Sequence, residues 1–238
     1  MSLRILSAEL LKIRRKFIWF LIFLGPIGVV GLQAVNFGLR YDYLVGKVYR
    51  DDLWGGLIEN VTILMVPTLF IGLAILASMV AGIEHQTNSW KQTLALPVTR
   101  TQVFTGKFLL NLLLLLVSTT LVAAGTIVLG IVLGFGTGIP YGVLLKACYY
   151  PFLAIVPFIA LQNWLSVTFQ NQAFPLTVGI AGMVVSMFSI RFGDWFPWKW
   201  PYLINAAKEP LYSVACGLAF GLVVLAAGLA HFVRKDVK

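Results

Sequence analysis

Six apolar runs, at 17–37, 57–83, 108–134, 143–165, 173–190 and 211–233, constrain this chain more than any motif in it. A helix crosses the hydrocarbon of a bilayer with roughly 20 apolar residues, and these runs reach or approach that length. They are continuously apolar and do not alternate with period two, so they predict spanning helices and not a transmembrane barrel. A soluble core needs a wetted shell, and this chain lacks the material for one: 59% of its residues are hydrophobic, 11% are charged and the mean hydropathy is +0.89. The expectation is an all-α integral membrane protein, a single transmembrane domain over 1–238 with six transmembrane helices. The fourth and fifth runs carry the weaker signal, one with Lys146 near its end and the other only 18 residues long. Lys146 is expected to snorkel to the headgroups.

The net charge of +9 does not indicate nucleic acid, because the cations are spread thinly and gather at the ends of apolar runs. They act as topology signals. One side of the bilayer receives Arg4, Lys12, Arg14, Arg15, Lys16, Lys91, Arg100, Lys107, Arg234, Lys235 and Lys238, the other only Arg40, Lys47, Arg50, Lys146, Arg191, Lys199 and Lys208. Both termini and the segment 84–107 are therefore expected in the cytoplasm. Cys148 and Cys216 lie singly in apolar runs without CxxC or Cys/His spacing, which gives neither a metal site nor a disulfide framework. The basic N-terminus ahead of an apolar run has a run too long, and no small-residue cleavage site, for a secretory signal, and is expected to be retained.

Before the first span, Leu3, Leu6, Leu10, Ile13 and Phe17 recur at steps of three and four, with Arg4, Glu9, Lys12, Arg15 and Lys16 between them. That pattern predicts a helix over 1–16 lying along the inner leaflet, its apolar stripe in the acyl boundary and its cations near anionic lipid headgroups. The loop RFGDWFPWKWPYLINAAKEP, from Arg191 to Pro210, sets Trp195, Trp198, Trp200 and Tyr202 among three prolines. Such rings favour the headgroup level, so the loop is expected to be an interfacial belt, or a contact for an amphipathic substrate. Gly130 with Gly134, and Gly217 with Gly221, permit close helix approach.

The polar interruption GIEHQTNSWKQTLALPVTRTQVFTGK, from Gly82 to Lys107, is more specific than a passive loop requires. Ser89 with Gln92 has the spacing of a capping box, and a helix begun there must end before Pro97. Thr99 with Gln102 repeats the spacing and begins a helix that runs through Lys107 into the third span. A short cytoplasmic helix, a proline break and a helix continuous with a span together make a mechanical handle.

These residues resemble the integral membrane subunits of ABC transporters of the type-2 (ABC-2) exporter class. In that family a short coupling helix follows the second span, with an acidic residue, a polar stretch, a leucine-rich turn, a proline with a nearby arginine and a lysine leading into the third span. Glu84, His85, Gln86, Thr87, Trp90, Lys91, Pro97, Arg100 and Lys107 occupy or adjoin those places. The N-terminal helix, six spans and aromatic last loop are similar to it in outline, and small antimicrobial-peptide immunity and export permeases belong to the same class.

The resemblance implies a half-transporter in a bacterial cytoplasmic membrane. A second copy or a paralogue completes the path for an amphipathic peptide or drug, and a separate ATPase subunit binds ATP and Mg. This chain itself is expected to bind no cofactor: neither Gly46-Lys47 nor Gly106-Lys107 has the glycine spacing and following Ser/Thr of a phosphate loop. Trp90 and the face from Glu84 to Lys91 are expected to meet the ATPase, with Arg100 and Lys107 tying the handle to lipid phosphates or to acidic residues of that subunit. An enzyme is disfavoured, since no HExxH or paired-carboxylate arrangement occurs. A channel or ion-coupled carrier is the alternative; it requires ionisable groups at membrane depth, where the span interiors hold mainly Gln33, Thr62, Thr68, Ser78, Asn111 and the run Ser118 to Thr120.

Overall fold

The computed structural model describes residues 2–87 and 98–234, with side chains from Ile5 onward. Every regular element among the described residues is helical. The order is α1 (Ser2–Ile13), α2 (Ile18–Leu39), α3 (Leu53–Gln86), α4 (Arg100–Val132), α5 (Tyr141–Ala154), α6 (Val156–Thr168), α7 (Ala173–Phe188) and α8 (Pro210–Arg234). Helices α2, α3, α4, α7 and α8 are each long and apolar enough to cross a bilayer, and α5 with α6 provides a sixth crossing if the bent pair is taken as one. The protein is an all-α, multi-pass membrane protein.

Helix α3 is the axis of the bundle. In its most apolar stretch 56% of residues are buried, against 22–39% in the other long helices, because α2, α4, α5, α6 and α7 all pack on it. Apolar side chains that remain open elsewhere, such as Phe20, Phe23 and Ile27 on α2, are those a lipid environment accepts without cost.

The fourth apolar run, expected as one span over 143–165, is two helices bent by 41° at Ile155. Proline explains the break. Pro157 has no N–H to give to the carbonyl of Leu153, and its ring excludes a continuous helix there, but it fits the first turn of a new one. Helix α8 crosses this break closely: a Cβ on Gly217 would meet the Ala154 carbonyl oxygen at 2.6 Å, and one on Gly221 would meet Val156 Cγ1 at 2.8 Å. The glycine pair singled out in the sequence is thus where α8 and the α5–α6 bend approach backbone to backbone.

At one end of the bundle the chain from Arg40 to Asp52 caps α2, α3 and α4, and Trp54 donates its indole N–H to the Phe135 carbonyl at 3.2 Å. The loop after α7 closes at the same end. Lys199 pairs with Asp194 at 2.8 Å, and Trp200 donates to the Asp194 carbonyl at 2.7 Å. Asp194 also accepts from the Ala206 N–H at 2.8 Å. The Lys199 hydrogen bond, then that of Ala206, hold the Asp194 carboxyl below the usual carboxylate value. The loop is therefore a clipped structure, and it does not present all four of its singled-out aromatics. Trp200 is buried, Trp198 and Tyr202 are half-buried, and Trp195 is open at 73% exposure.

Candidate functional site

At the opposite end, α1, the end of α3, the start of α4, the α6–α7 turn and the end of α8 come together beneath the bundle. The start of α4 is set by the capping box read from the sequence: Thr99 Oγ1 accepts from Gln102 N–H at 3.2 Å, and Gln102 Oε1 accepts from Thr99 N–H at 2.9 Å. With its N-terminus fixed about two turns before Gly106, α4 brings Lys107 against α1 and α3. Gly106 lacks a side chain where Ile5 of α1 lies, a Cβ there meeting Ile5 Cγ2 at 2.6 Å. Helix α1 therefore seats directly on α4.

This seating creates a buried cluster of four charges. Lys107, fully buried, donates to Glu84 Oε1 at 2.7 Å and Glu9 Oε2 at 3.0 Å, and reaches the Val80 carbonyl at 3.4 Å. Lys12 donates to Glu9 Oε1 at 2.5 Å and Glu84 Oε1 at 2.9 Å. Each ammonium touches both carboxylates, so the set is electrically neutral and each charge has an opposite neighbour. Burial alone lowers the pKa of Lys12, but hydrogen bonding and charge from Glu9, then from Glu84, outweigh it and hold the ammonium above its ordinary 10.5. Its contribution is fully present at neutral pH and lost only as pH rises through that raised value.

The expectation of α1 as a lipid-facing stripe is corrected here. Glu9, placed on the polar face, is 5% exposed and Lys12 is half-buried. Leu6, Leu10 and Ile13 do pack inward, but against the protein's own core. The ion pairs turn the helix: two carboxylates and two ammoniums removed from water must face one another, and that fixes which side of α1 is inside. Arg15 and Lys16 stay exposed at the bend into α2. The side chain of Leu3 and all of Trp90, Lys91 and Pro97, with the helix expected between Ser89 and Pro97, lie outside the described residues.

Glu84 and Lys107 were expected to face a partner; both instead face this chain's interior, joining the two stems of the segment 84–107 to each other and to α1. The other singled-out residues surround that base. The His85 ring nitrogen Nε2 lies 3.1 Å from the Ser166 carbonyl, which ties α3 to the end of α6. Arg100 donates to the Val233 carbonyl at 3.0 Å, which ties α4 to the end of α8. Thr87 Oγ1 donates to the Ile83 carbonyl at 2.8 Å and closes the last turn of α3. Gln86 and Thr87 are exposed.

Sequence reasoning did not find Glu9 as part of the site, since a Glu9/Lys12 pair at i,i+3 reads as an ordinary solvated helix pair. It also missed Gln172, which donates to the carbonyls of Ser166 at 2.9 Å and Phe169 at 2.6 Å and so closes the α6–α7 turn. Above the charge cluster, Asn111 donates to Asn163 at 3.3 Å, and Asn163 lies at the limit of hydrogen-bond reach from the Phe104 carbonyl, at 3.5 Å. Among the described residues no His/Cys/Asp/Glu group has the arrangement of a metal site.

The fold is a multi-pass helical bundle with a buried four-charge cluster at one end, at the base of the polar segment that joins two spans. The chain belongs to the family described as ABC-2 family transporter protein, whose profile matches residues 5–187. The match covers most of α1, the whole charge cluster and every span except α8, ending within α7. No curated protein matches the chain. Membership makes this an ABC transporter permease subunit, a transmembrane component generally not catalytic itself, and implies in general an ATPase partner.

Proposed function

We propose that the chain is the transmembrane subunit of an ATP-driven exporter in a bacterial cytoplasmic membrane, with both termini in the cytoplasm. A separate ATPase subunit docks against the segment 84–107, and a second copy or a paralogue completes the path for an amphipathic peptide or drug. ATP and Mg reside on the ATPase. The observation that carries this reading is the Glu9, Lys12, Glu84 and Lys107 cluster. It joins both stems of the polar segment to one another and to α1, so a displacement imposed on the segment moves α1, α3 and α4 together instead of bending a loose linker.

Transport then needs two arrangements of the spans that differ in access and in affinity for cargo. Closure of the ATPase pair favours one of them by its contacts with the segment. Gln86 and Thr87, exposed where α3 ends, adjoin the docking face together with Trp90 and Lys91, and Pro97 ends the handle. The cations Arg14, Arg15 and Lys16 hold the α1–α2 bend at anionic headgroups. On the far side, Trp195, the most exposed of the four singled-out aromatics, is open to lipid or to departing cargo. Weighing against an ion-relay channel, the paired charges lie at the ends of spans and not in their middles.

The test is gentle extraction of the tagged chain from its native membrane, with mass identification of what accompanies it and an ATP-hydrolysis assay on the complex. A stoichiometric ATP-binding subunit whose turnover responds to an amphipathic peptide is the expected result. A folded chain that comes out without such a subunit and passes ion current in planar bilayers would overturn the proposal.

A further inference from the structure

The chain has two histidines, and both bond to the end of α6. His85, at the end of α3, meets the Ser166 carbonyl as described above. His231, in the last turn of α8, meets an indole: Trp164 Nε1 lies 3.1 Å from His231 Nδ1. The packing around this second contact is close. A Cβ on Gly228 would meet Trp164 Cγ at 2.9 Å, so α8 has room for the tryptophan only because that position is glycine. Gly228 and His231 are three residues apart and share one face of the helix, and the Trp164 and His231 rings lie 5.7 Å apart.

The two bonds have opposite proton requirements. An indole N–H can only donate, so His231 Nδ1 accepts through its lone pair and carries no proton. A carbonyl can only accept, so His85 Nε2 carries a hydrogen and donates it. Protonation of His231 fills the accepting lone pair and sets two N–H groups against each other, whereas a protonated His85 still donates to Ser166. His231 is exposed, so protons reach it. The helices packed on α8 are α4, α5 and α6, and neither they nor α8 itself contain an Asp or Glu to pair with the new charge. Their described charges are cations: Arg100, bonded to the Val233 carbonyl at 3.0 Å, Arg234, Lys107 on α4 and Lys146 near the start of α5. Beside His85 stands Glu84, already shared by Lys107 and Lys12.

We infer that the Trp164–His231 pair is a pH-sensitive latch: with His231 neutral it holds the last turn of α8 on α6, and protonation of His231 releases that turn while the His85 contact keeps α3 in place. The bond is present when the imidazole is neutral and is lost as pH falls. Val233 lies in the released turn and receives Arg100, so the release reaches the start of α4. The inference rests on these contacts and does not depend on the exporter reading.

The test uses the full chain in nanodiscs, titrated from about pH 8 to about pH 5, the range in which imidazoles change charge. One readout is the indole N–H resonance of Trp164, identified by its absence in Trp164→Phe. The other is amide hydrogen exchange in the last turn of α8, corrected for the intrinsic pH dependence of exchange. Expected is an indole resonance that titrates together with the His231 ring, and exchange from His231 to Arg234 that is faster in acid by roughly fivefold, the range of one hydrogen bond. Exchange at the end of α3 should stay unchanged. His231→Gln offers an accepting oxygen that does not titrate, so it should keep the protection and lose its pH dependence. Three outcomes would each overturn the inference: a Trp164 resonance that does not move in the unmodified chain, a titration of it that persists in His231→Gln, or equal protection of the last turn of α8 at both ends of the range.

Discussion

Lys107 is the residue on which the base of the molecule depends, because an ammonium with no exposure is tolerable only while both carboxylates remain beside it. Glu84→Gln leaves two cations around one carboxylate and should lower stability by about 3–5 kcal/mol, as does removal of one member of a buried pair. Lys107→Met should cost a similar amount. The double variant should cost less than the two separately, with a coupling of roughly 1–3 kcal/mol, in a double-mutant cycle of unfolding in detergent. Full additivity would mean that the two side chains do not interact. Asp194 gives a residue-level pH test. Its carboxyl is held below the ordinary 3.8, so the clip it makes with Lys199 and Ala206 is stabilising above that value and is lost as pH falls through the depressed one. Tryptophan emission should therefore change below pH 3.8 in the unmodified chain, and Asp194→Asn should remove that acid transition.

Among the elements, α8 and α2 respond oppositely to the same substitution. Gly217→Ala places a methyl against the Ala154 backbone, which cannot move aside as a side chain does, and should destabilise by roughly 1–3 kcal/mol. Gly28→Ala on α2 meets nothing within 4 Å and should be neutral or stabilising by about 0.5–1 kcal/mol. Thermal unfolding of the two variants side by side checks both signs. Helix α1 shows what a sequence can and cannot reveal about an element. Its helical period and apolar face were legible in Leu6, Leu10 and Ile13, but the inward turn of Glu9 and Lys12 was not, because their partners Glu84 and Lys107 are far away in sequence. The bend at Ile155 was foreshadowed by Pro157, yet an uninterrupted apolar run concealed it. The box at Thr99 and Gln102 was legible because every participant is local.

For the whole molecule, the apolar runs made the class of fold readable, since a bilayer imposes a length and a composition on each span whatever the neighbours are. The packing that makes α3 the axis and the joining of α1 to two spans come from contacts between distant segments, and periodicity carries no record of them. The same holds for the site: the segment 84–107 stood out by its polarity, whereas its buried base did not. The central claim is that an ATPase docks where α3 ends, on the side of the membrane that holds α1. A photo-cross-linking amino acid at Thr87, exposed at that end, tests it most directly in native membranes. The account predicts an adduct between Thr87 and an ATP-binding subunit, and none from the same probe at Trp195; an ATPase adduct from Trp195 with none from Thr87 would contradict it.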